Sequence, residues 1–381
     1  MDFSLTEDQL MLRTMVRDFA EKELEPIAAE IDEAAIFPAE SFRKAAELGL
    51  TGIGYPDKYG GSGGGAVEQA ITFEEVARVC AATAVVIIAS NELTGHPIYV
   101  HGNEEQRQRY LAPLLRGDKL GAFGLTEAGA GSDVASMAMT AKRKNGGYVL
   151  NGNKLFITNG AEADVIVTFA TIDRSQGYRG VTAFIVEKGT SGFSVGKHER
   201  KLGIRASSTA ELVFEDCFIP EENRLGEEGR GFRIALESID SSRIGIAAQA
   251  VGIAQGAFDK SLDYAKERQQ FGEPIANFQA IQWMLADMAT QIDAARLLTY
   301  RAAYFKDQGM DFVKEASMAK VFAAETAMSV TTKAVQIHGG YGYTKDYPVE
   351  RYFRDAKITE IYEGTSEMQR MTIARQLLRE N

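Results

Sequence analysis

Two short stretches of this chain hold residues whose types and spacing could do chemistry. In Ile361-Tyr362-Glu363-Gly364-Thr365-Ser366-Glu367, Glu363 stands just before a glycine break, and Ser366 with Gln369 fits a capping box opening the last helix. A carboxylate there is held on a bend rather than on a solvated helix face, and the free N–H groups behind it suit a phosphate. A charged helix cap accounts for the same residues. The second stretch, Thr126-Glu127-Ala128-Gly129-Ala130-Gly131-Ser132-Asp133, alternates small residues. Its backbone amides can approach a flat or anionic ligand, with Thr126 and Ser132 adding hydroxyls; an ordinary turn fits equally well.

Other chemistries have little support. His96, His101, His198 and His338 are dispersed, without an H-x-x-x-H pair or a C-x-x-C, so no metal site is expected. Gly60-Gly61-Ser62-Gly63-Gly64 matches G-x-S-x-G formally. A nucleophile elbow needs a hydrophobic strand before it, whereas Pro56-Asp57-Lys58-Tyr59 precedes this run, so a plain loop is expected. No Walker A sequence occurs, and no glycine-rich turn follows a strand in the dinucleotide-binding manner.

The elements that must position these stretches fall into three blocks. At 381 residues, 45% hydrophobic and 25% charged, the chain can bury a sizeable core in two or three domains. A net charge of −11 argues against nucleic-acid and anionic-membrane partners. No signal-peptide pattern follows Met1, no apolar run of about 18 residues appears, and Cys80 with Cys217 fits a reducing compartment, so a cytoplasmic protein is expected.

Ser4-Leu5-Thr6-Glu7 fits a capping box, followed by the stripe Leu10, Val16, Phe19 and Leu24 up to Pro26. Helical patterns continue over 39–48, 66–80 and 104–115, with a loop at 60–65. Short β-type segments then follow at Tyr148-Val149-Leu150, 154–158, 165–170 and 181–186, divided by Asn145-Gly146, Asn151-Gly152 and Asn159-Gly160, the dipeptides of tight turns. Helical periodicity returns over 234–268, 278–307, 312–338 and 366–379, enough for a four-helix bundle, with Ile281, Leu285, Met288 and Ile292 giving apolar spacing. Helices, strands, then helices exclude a doubly wound fold and a TIM barrel. The predicted fold class is α+β, with a helical domain (1–120), an antiparallel β domain (121–227) and a four-helix-bundle domain (228–381).

In chain order, Gly121-Ala122-Phe123-Gly124-Leu125-Thr126-Glu127, Gly129-Ala130-Gly131-Ser132-Asp133 and Phe156-Ile157-Thr158-Asn159-Gly160 resemble the acyl-CoA dehydrogenases. So do Glu267-Arg268-Gln269-Gln270-Phe271-Gly272, Gln336-Ile337-His338-Gly339-Gly340-Tyr341-Gly342, Arg354-Asp355-Ala356-Lys357 and Ile361-Tyr362-Glu363-Gly364-Thr365. The resemblance covers nearly the whole chain and implies FAD, an acyl-CoA substrate, a homotetramer built as a dimer of dimers, and electron transfer flavoprotein as acceptor.

By that resemblance, Glu363 is the base that takes the α-proton of a thioester while the β-hydride passes to the flavin. Leu125, Thr126, Ser132, Phe156 and Thr158 correspond to flavin contacts, Phe156 standing where the family often has Trp. Arg268, Gln270 and Phe271 match residues reaching FAD across a dimer interface. Gln336, Gly339 and Gly340, with Thr365 and Glu367, match adenosine and phosphate contacts. Asp240 and Arg243 fall at CoA contacts, and Ser132 and Gly364 also border the substrate. One branch of the family carries its base just before that Arg; here the place holds Ser242, which cannot serve.

Gln249 and Thr359 match positions closing the pocket in short-chain members, implying a shallow cavity. Thr94 and Gly95 stand where larger side chains are usual, which implies a wide one, suited to a branched or alicyclic acyl group such as cyclohexanecarboxyl; straight C4–C6 chains or enoyl-CoA reduction are the alternatives. Asn91 is expected as a neutral hydrogen-bonding group on that wall, and Glu92 as structural or solvated. A CoA-binding scaffold without catalysis would need neither Glu363 nor the flavin positions.

Overall fold

Apolar residues at helical spacing make the first block helical. The computed structural model describes residues 4–379. Helix α1 (Glu7–Phe19) starts from Thr6, whose side chain accepts from the Gln9 N–H while the Gln9 side chain accepts from the Thr6 N–H. The capping box is therefore Thr6–Gln9, two residues later than the Ser4 reading, and it turns Val16, Phe19 and Leu24 into the core while Leu10 stays exposed. Pro26 does not end the run. A π turn at Ala20–Leu24 leads into α2 (Glu25–Ala34), and the proline sits in the first turn, where its missing N–H is not needed.

Next come α3 (Ala39–Glu47), α4 (Ala66–Ala77), α5 (Ala81–Ile88), α6 (His96–His101), α7 (Glu104–Gln106) and α8 (Ala112–Leu115), with π segments Ala89–Gly95 and Arg107–Leu111 bridging α5 to α6 and α7 to α8. The α5–α6 run was not anticipated because residues 81–95 are buried on every side, leaving no amphipathic period to read.

The second block is one sheet of β1 (Gly121–Gly124), β2 (Thr140–Lys144), β3 (Gly147–Thr158), β4 (Val165–Thr171), β5 (Val181–Glu187), β6 (Phe193–His198), β7 (Thr209–Pro220) and β8 (Arg224–Leu225), ordered β6-β7-β3-β2-β4-β5-β8 with β1 beside β4. Most pairings are antiparallel; β1 and β2 meet β4 in parallel. Both faces are covered: Val165, Val167 and Phe169 belong to one core cluster, Ile166 and Ala170 to another.

Asn145-Gly146 does close the β2–β3 hairpin, but Asn151-Gly152 is not a turn. It is a bulge inside β3, where Asn151 pairs with Asp216 and a Cβ on Gly152 would stand 2.9 Å from Met139 Cα. Asn159 leaves β3 with φ 62° and is fully buried, its Nδ2 donating to the carbonyls of Val86 and Gly121 (both 3.0 Å). It pins the sheet to α5 rather than forming a hairpin.

The third block holds α9 (Gly231–Glu267), a hairpin of β9 (Gln269–Gln270) and β10 (Glu273–Pro274), α10 (Gln279–Asp307), α11 (Val313–His338), α12 (Val349–Thr359) and α13 (Ser366–Leu377). Thr365, not Ser366, caps α13. The first and third blocks share one hydrophobic core, threaded by α9. α9 lies close on α4 because Gly252 has no side chain: a Cβ there would be 2.2 Å from the Glu74 carbonyl oxygen. Gly252→Val should therefore destabilise the protein by about 1–3 kcal/mol through overpacking, read as a lower Tm; an unchanged Tm would contradict this packing.

Candidate active site

Between α12 and α13 the chain makes a bend that carries Glu363 with φ 52° and Gly364 with φ 89°. Left-handed backbone at a glutamate costs about 1–3 kcal/mol and persists only where surroundings enforce it. Here three side chains do so. Gln369 Nε2 donates to the carbonyls of Glu363 (3.0 Å) and Gly364 (2.8 Å), Lys320 Nζ to that of Gly364 (2.7 Å), and Arg243 Nε to that of Glu363 (3.4 Å). A Cβ on Gly364 would stand 2.8 Å from Gln369 Nε2, so the brace requires glycine there.

The Glu363 side chain turns to α9, where Ser242 Oγ donates to Oε2 at 2.8 Å. Burial pushes the carboxyl above its ordinary value, while the Ser242 hydrogen bond and the charges of Lys320 and Arg243 pull it back. Burial likewise lowers the Lys320 ammonium to about 8. The Glu363 N–H donates to no backbone carbonyl among the described residues, so it is available to an acceptor in the site.

Arg243 lies inside rather than at a surface. Its Nη1 donates to Asp240 Oδ1 (2.6 Å) and Ser317 Oγ (3.3 Å), leaving Asp240 at the rim. Tyr362 donates its phenol hydrogen to Gln249 Oε1, and Gln249 Nε2 donates to the Ala81 carbonyl at 2.9 Å. Gln249 and Thr359 are fully buried, and the Thr359 hydroxyl bonds its own helix at Ala356.

The expected widening at Thr94 and Gly95 does not occur. Thr94 is fully buried, its hydroxyl donates to the Ala89 carbonyl, and it packs on Gly121. A Cβ on Gly95 would meet Tyr55 Oη at 3.3 Å and Leu111 Cδ1 at 3.5 Å, so other side chains already occupy that room. Asn91 is a satisfied structural amide. It donates to the Thr51 and Ile53 carbonyls and accepts from Gln69. Glu92 is buried, not solvated.

Across the β domain, the Leu125–Ser132 stretch is fastened to β3. Leu155 N–H donates to the Thr126 carbonyl (2.8 Å), and Lys154, fully buried, donates to Leu125 O (3.1 Å) and Glu127 Oε1 (2.7 Å). Glu127 in turn accepts from the Ala138 and Met139 amides. Ser132 is left exposed, and a Cβ on Gly129 or Gly131 would meet nothing within 4 Å. At the second bulge of β3, Phe156 (φ 59°) is 61% exposed, with Thr158 two residues on along the same face. An outward aromatic face beside an open loop of small residues fits an isoalloxazine and its pyrophosphate.

The remaining expected cofactor contacts form two groups. Thr365 and Glu367 lie beside Glu363. Gln336, Gly339 and Gly340 lie at the far end of α11, and Arg268 joins them through Tyr341 (5.6 Å to the ring centroid). Lys320 holds Gly364, and the helical rise from Lys320 to His338 is about 27 Å. Gln270 and Phe271 sit at the β9–β10 hairpin, Phe271 being 96% exposed. The Ser62 hydroxyl donates to Gly49 O at 2.7 Å.

Sequence reasoning missed Ser242 as the partner of Glu363, and Lys320 and Gln369 as its braces. The available signal was polar residues on buried helix faces: Ser317 and Lys320 on α11, Gln369 one turn into α13. Removing the Ser242 hydrogen bond should raise the pKa of Glu363, since that bond favours the carboxylate. Ser242→Ala should shift the Glu363 titration to higher pH, measured by a carboxyl NMR titration; a downward shift or none would contradict the geometry.

Family profiles match along the chain: the acyl-CoA dehydrogenase N-terminal domain over residues 6–118, the middle domain over 122–217 and the C-terminal domain over 229–378. A short-chain specific acyl-CoA dehydrogenase of Clostridium acetobutylicum is 54% identical, with 100% of both chains covered. The butyryl-CoA dehydrogenase structure of Megasphaera elsdenii superposes with a TM-score of 0.98 at 48% identity, again covering 100% of both chains. A chain in the structure reported as electron transferring flavoprotein of Acidaminococcus fermentans, in work on flavin-based electron bifurcation, gives 0.99 at 53% identity and the same coverage. With the helical, β and helical blocks in this order and three family profiles matched along its length, the chain belongs to the acyl-CoA dehydrogenases, FAD-dependent oxidoreductases acting on the CH–CH group of acyl-CoA thioesters.

Proposed function

We propose that this acyl-CoA dehydrogenase oxidises short, straight-chain acyl-CoA thioesters, butyryl-CoA foremost, to the 2-enoyl-CoA, with Glu363 as base. The observation that carries the reading is the Glu363 carboxyl itself: braced on a strained bend, raised by burial and steadied by Ser242. A base above the ordinary carboxylate range is better matched to a weakly acidic α-carbon. As negative charge grows on the thioester oxygen, the uncommitted Glu363 N–H is placed to donate to it. A bound FAD would supply the acceptor for the hydride leaving the β-carbon. Thr126, Ser132, Phe156 and Thr158 would hold it from the β domain, and Thr365 and Glu367 from the base's side.

Chain length is read from the pocket's closed end. The Tyr362–Gln249–Ala81 hydrogen-bonded chain, the buried Thr359, and Tyr55 beside Gly95 support a closed end suited to a short acyl chain. The likeness to the short-chain dehydrogenase of C. acetobutylicum supports the same reading. Asp240, at the rim, is assigned to the pantetheine, while Arg243 acts from inside by holding Asp240 and the Glu363 carbonyl.

A second copy of the chain completes the cofactor site in this reading. Arg268, Gln270, Phe271, Gln336, Gly339 and Gly340 stand about a helix length from Glu363 in their own chain, so we assign them to a flavin beside the partner's base, within a homotetramer. Electron transfer flavoprotein is the proposed acceptor, supported by the likeness to the A. fermentans chain. No described helix is long and apolar enough to cross a membrane; with both cysteines unpaired and buried, we place the protein in the cytoplasm. Domain boundaries are placed near 120 and 227.

The test is anaerobic reduction of the bound flavin, followed by its colour. Butyryl-CoA should bleach it faster than longer acyl-CoAs, and Glu363→Gln should slow bleaching by at least about 10³-fold with FAD retained. A preference for long chains would remove the short-chain assignment, and an active Glu363→Gln would remove the base.

A further inference from the structure

Glu92 is a buried carboxylate that the chemistry above does not use. It lies in the π segment between α5 and α6, 2% exposed, and its Oε2 has no hydrogen-bond partner among the described residues. It faces α9 at Gly245, where a Cβ would stand 2.1 Å from Oε2, so a glycine is what lets the carboxylate approach. Gly245 follows Ser242 by three residues, about 4.5 Å of rise on the same helix face, and Ser242 holds the Glu363 carboxylate. A buried and a half-buried carboxylate thus rest on one face of α9, roughly one turn apart.

The charges around them are few. From the end of α10, Lys306 Nζ stands 3.8 Å from Glu92 Oε1 and donates to Ser241 Oγ at 2.6 Å. The Tyr55 phenol, from the loop before α4, is neutral and donates to the Asn91 carbonyl. His96, one turn along Glu92's own run, is neutral because burial lowers its imidazole to about 3. From α4 the neighbour at Gly245 is Phe73, which is uncharged. Lys320 and Arg243 act on Glu363, and Lys306 is the ammonium that faces Glu92.

We propose that Glu92 is a positioning residue for the base: it and Glu363 form a two-carboxylate cluster that keeps one proton at neutral pH, carried by Glu92 so that Glu363 stays ionised. Like charges in one low-dielectric site cannot both be cheaply ionised. Burial and the Glu363 charge raise the Glu92 carboxyl to about 7, although Lys306 draws it down. When Glu363 takes the α-proton of a thioester, the charge beside Glu92 disappears and Glu92 releases its proton towards the partly exposed Lys306. One proton arrives at the pair and one leaves to solvent; its charge stays −1, and no electrons move there. The inference rests on Glu363 being the base.

The test uses the FAD-loaded enzyme. Infrared difference titration should show a protonated buried carboxyl near neutral pH that disappears in Glu92→Gln. Its titration should move down by about one pH unit in Glu363→Gln, which removes the neighbouring charge, and up in Lys306→Met. During anaerobic reduction by butyryl-CoA near pH 6.5, a pH indicator should register more protons released by the wild type than by Glu92→Gln. A carboxyl signal that survives Glu92→Gln, or a Glu92 titration unmoved by both Glu363→Gln and Lys306→Met, would overturn the proposal. If Glu92→Gln fails to fold, the other two variants decide. An active Glu363→Gln would sink the base assignment instead, a different outcome from an inactive variant with an unmoved Glu92.

Discussion

The active centre depends on keeping a carboxylate out of bulk water without neutralising it. Glu363 is brought inward by a left-handed bend that its own backbone disfavours, and the cost is met by donors from three helices: Arg243 on α9, Lys320 on α11 and Gln369 on α13. Hydrogen bonds from charged donors contribute about 1.5–3 kcal/mol each, enough to outweigh strain of about 1–3 kcal/mol. The same arrangement balances the ionisation. Burial raises the carboxyl; Ser242 and two cations limit the rise. Two of the braces have a second partner, Arg243 in Asp240 and Gln369 in Gly364.

Around that centre the three blocks are coupled by buried polar pins rather than by apolar contact alone. Asn159 ties β3 to α5 and β1. Asp355 on α12, a few residues before the bend, accepts from the Ile204 amide of the β domain, and Arg354 joins α12 to Asp32 on α2. Since unpaired buried groups are costly, these pins fix the angle at which α12 delivers Glu363. The buried Lys154–Glu127 pair does a similar task for the loop expected to meet the flavin.

Block order and element type were legible because they rest on local signals, apolar period above all, and Glu363 stands on the bend that its glycine neighbour announced. What escaped was decided by tertiary context. Asn151-Gly152 has the composition of a hairpin turn, yet pairing with Asp216 makes it a bulge. Residues 81–95 show no amphipathic period because the protein surrounds them. Thr94 and Gly95 look like lost bulk in sequence, but Tyr55, about forty residues earlier, fills the space. Ser242 was dismissed as a base although a hydroxyl there can steady one. Gln336, Gly339 and Gly340 sit at the far end of α11 from Lys320, a separation that a motif in sequence does not record.

The account stands on proton removal at a single side chain, and that step can be watched apart from net oxidation. Incubating the FAD-loaded enzyme with butyryl-CoA anaerobically in heavy water, and weighing the recovered thioester by mass spectrometry, counts reversible loss of the α-proton. The wild type should return substrate carrying deuterium at the α-carbon, and Glu363→Gln should return it unlabelled. Labelling at the wild-type rate by Glu363→Gln, with FAD still bound, would mean that another group removes the proton and that the braced bend serves some other purpose.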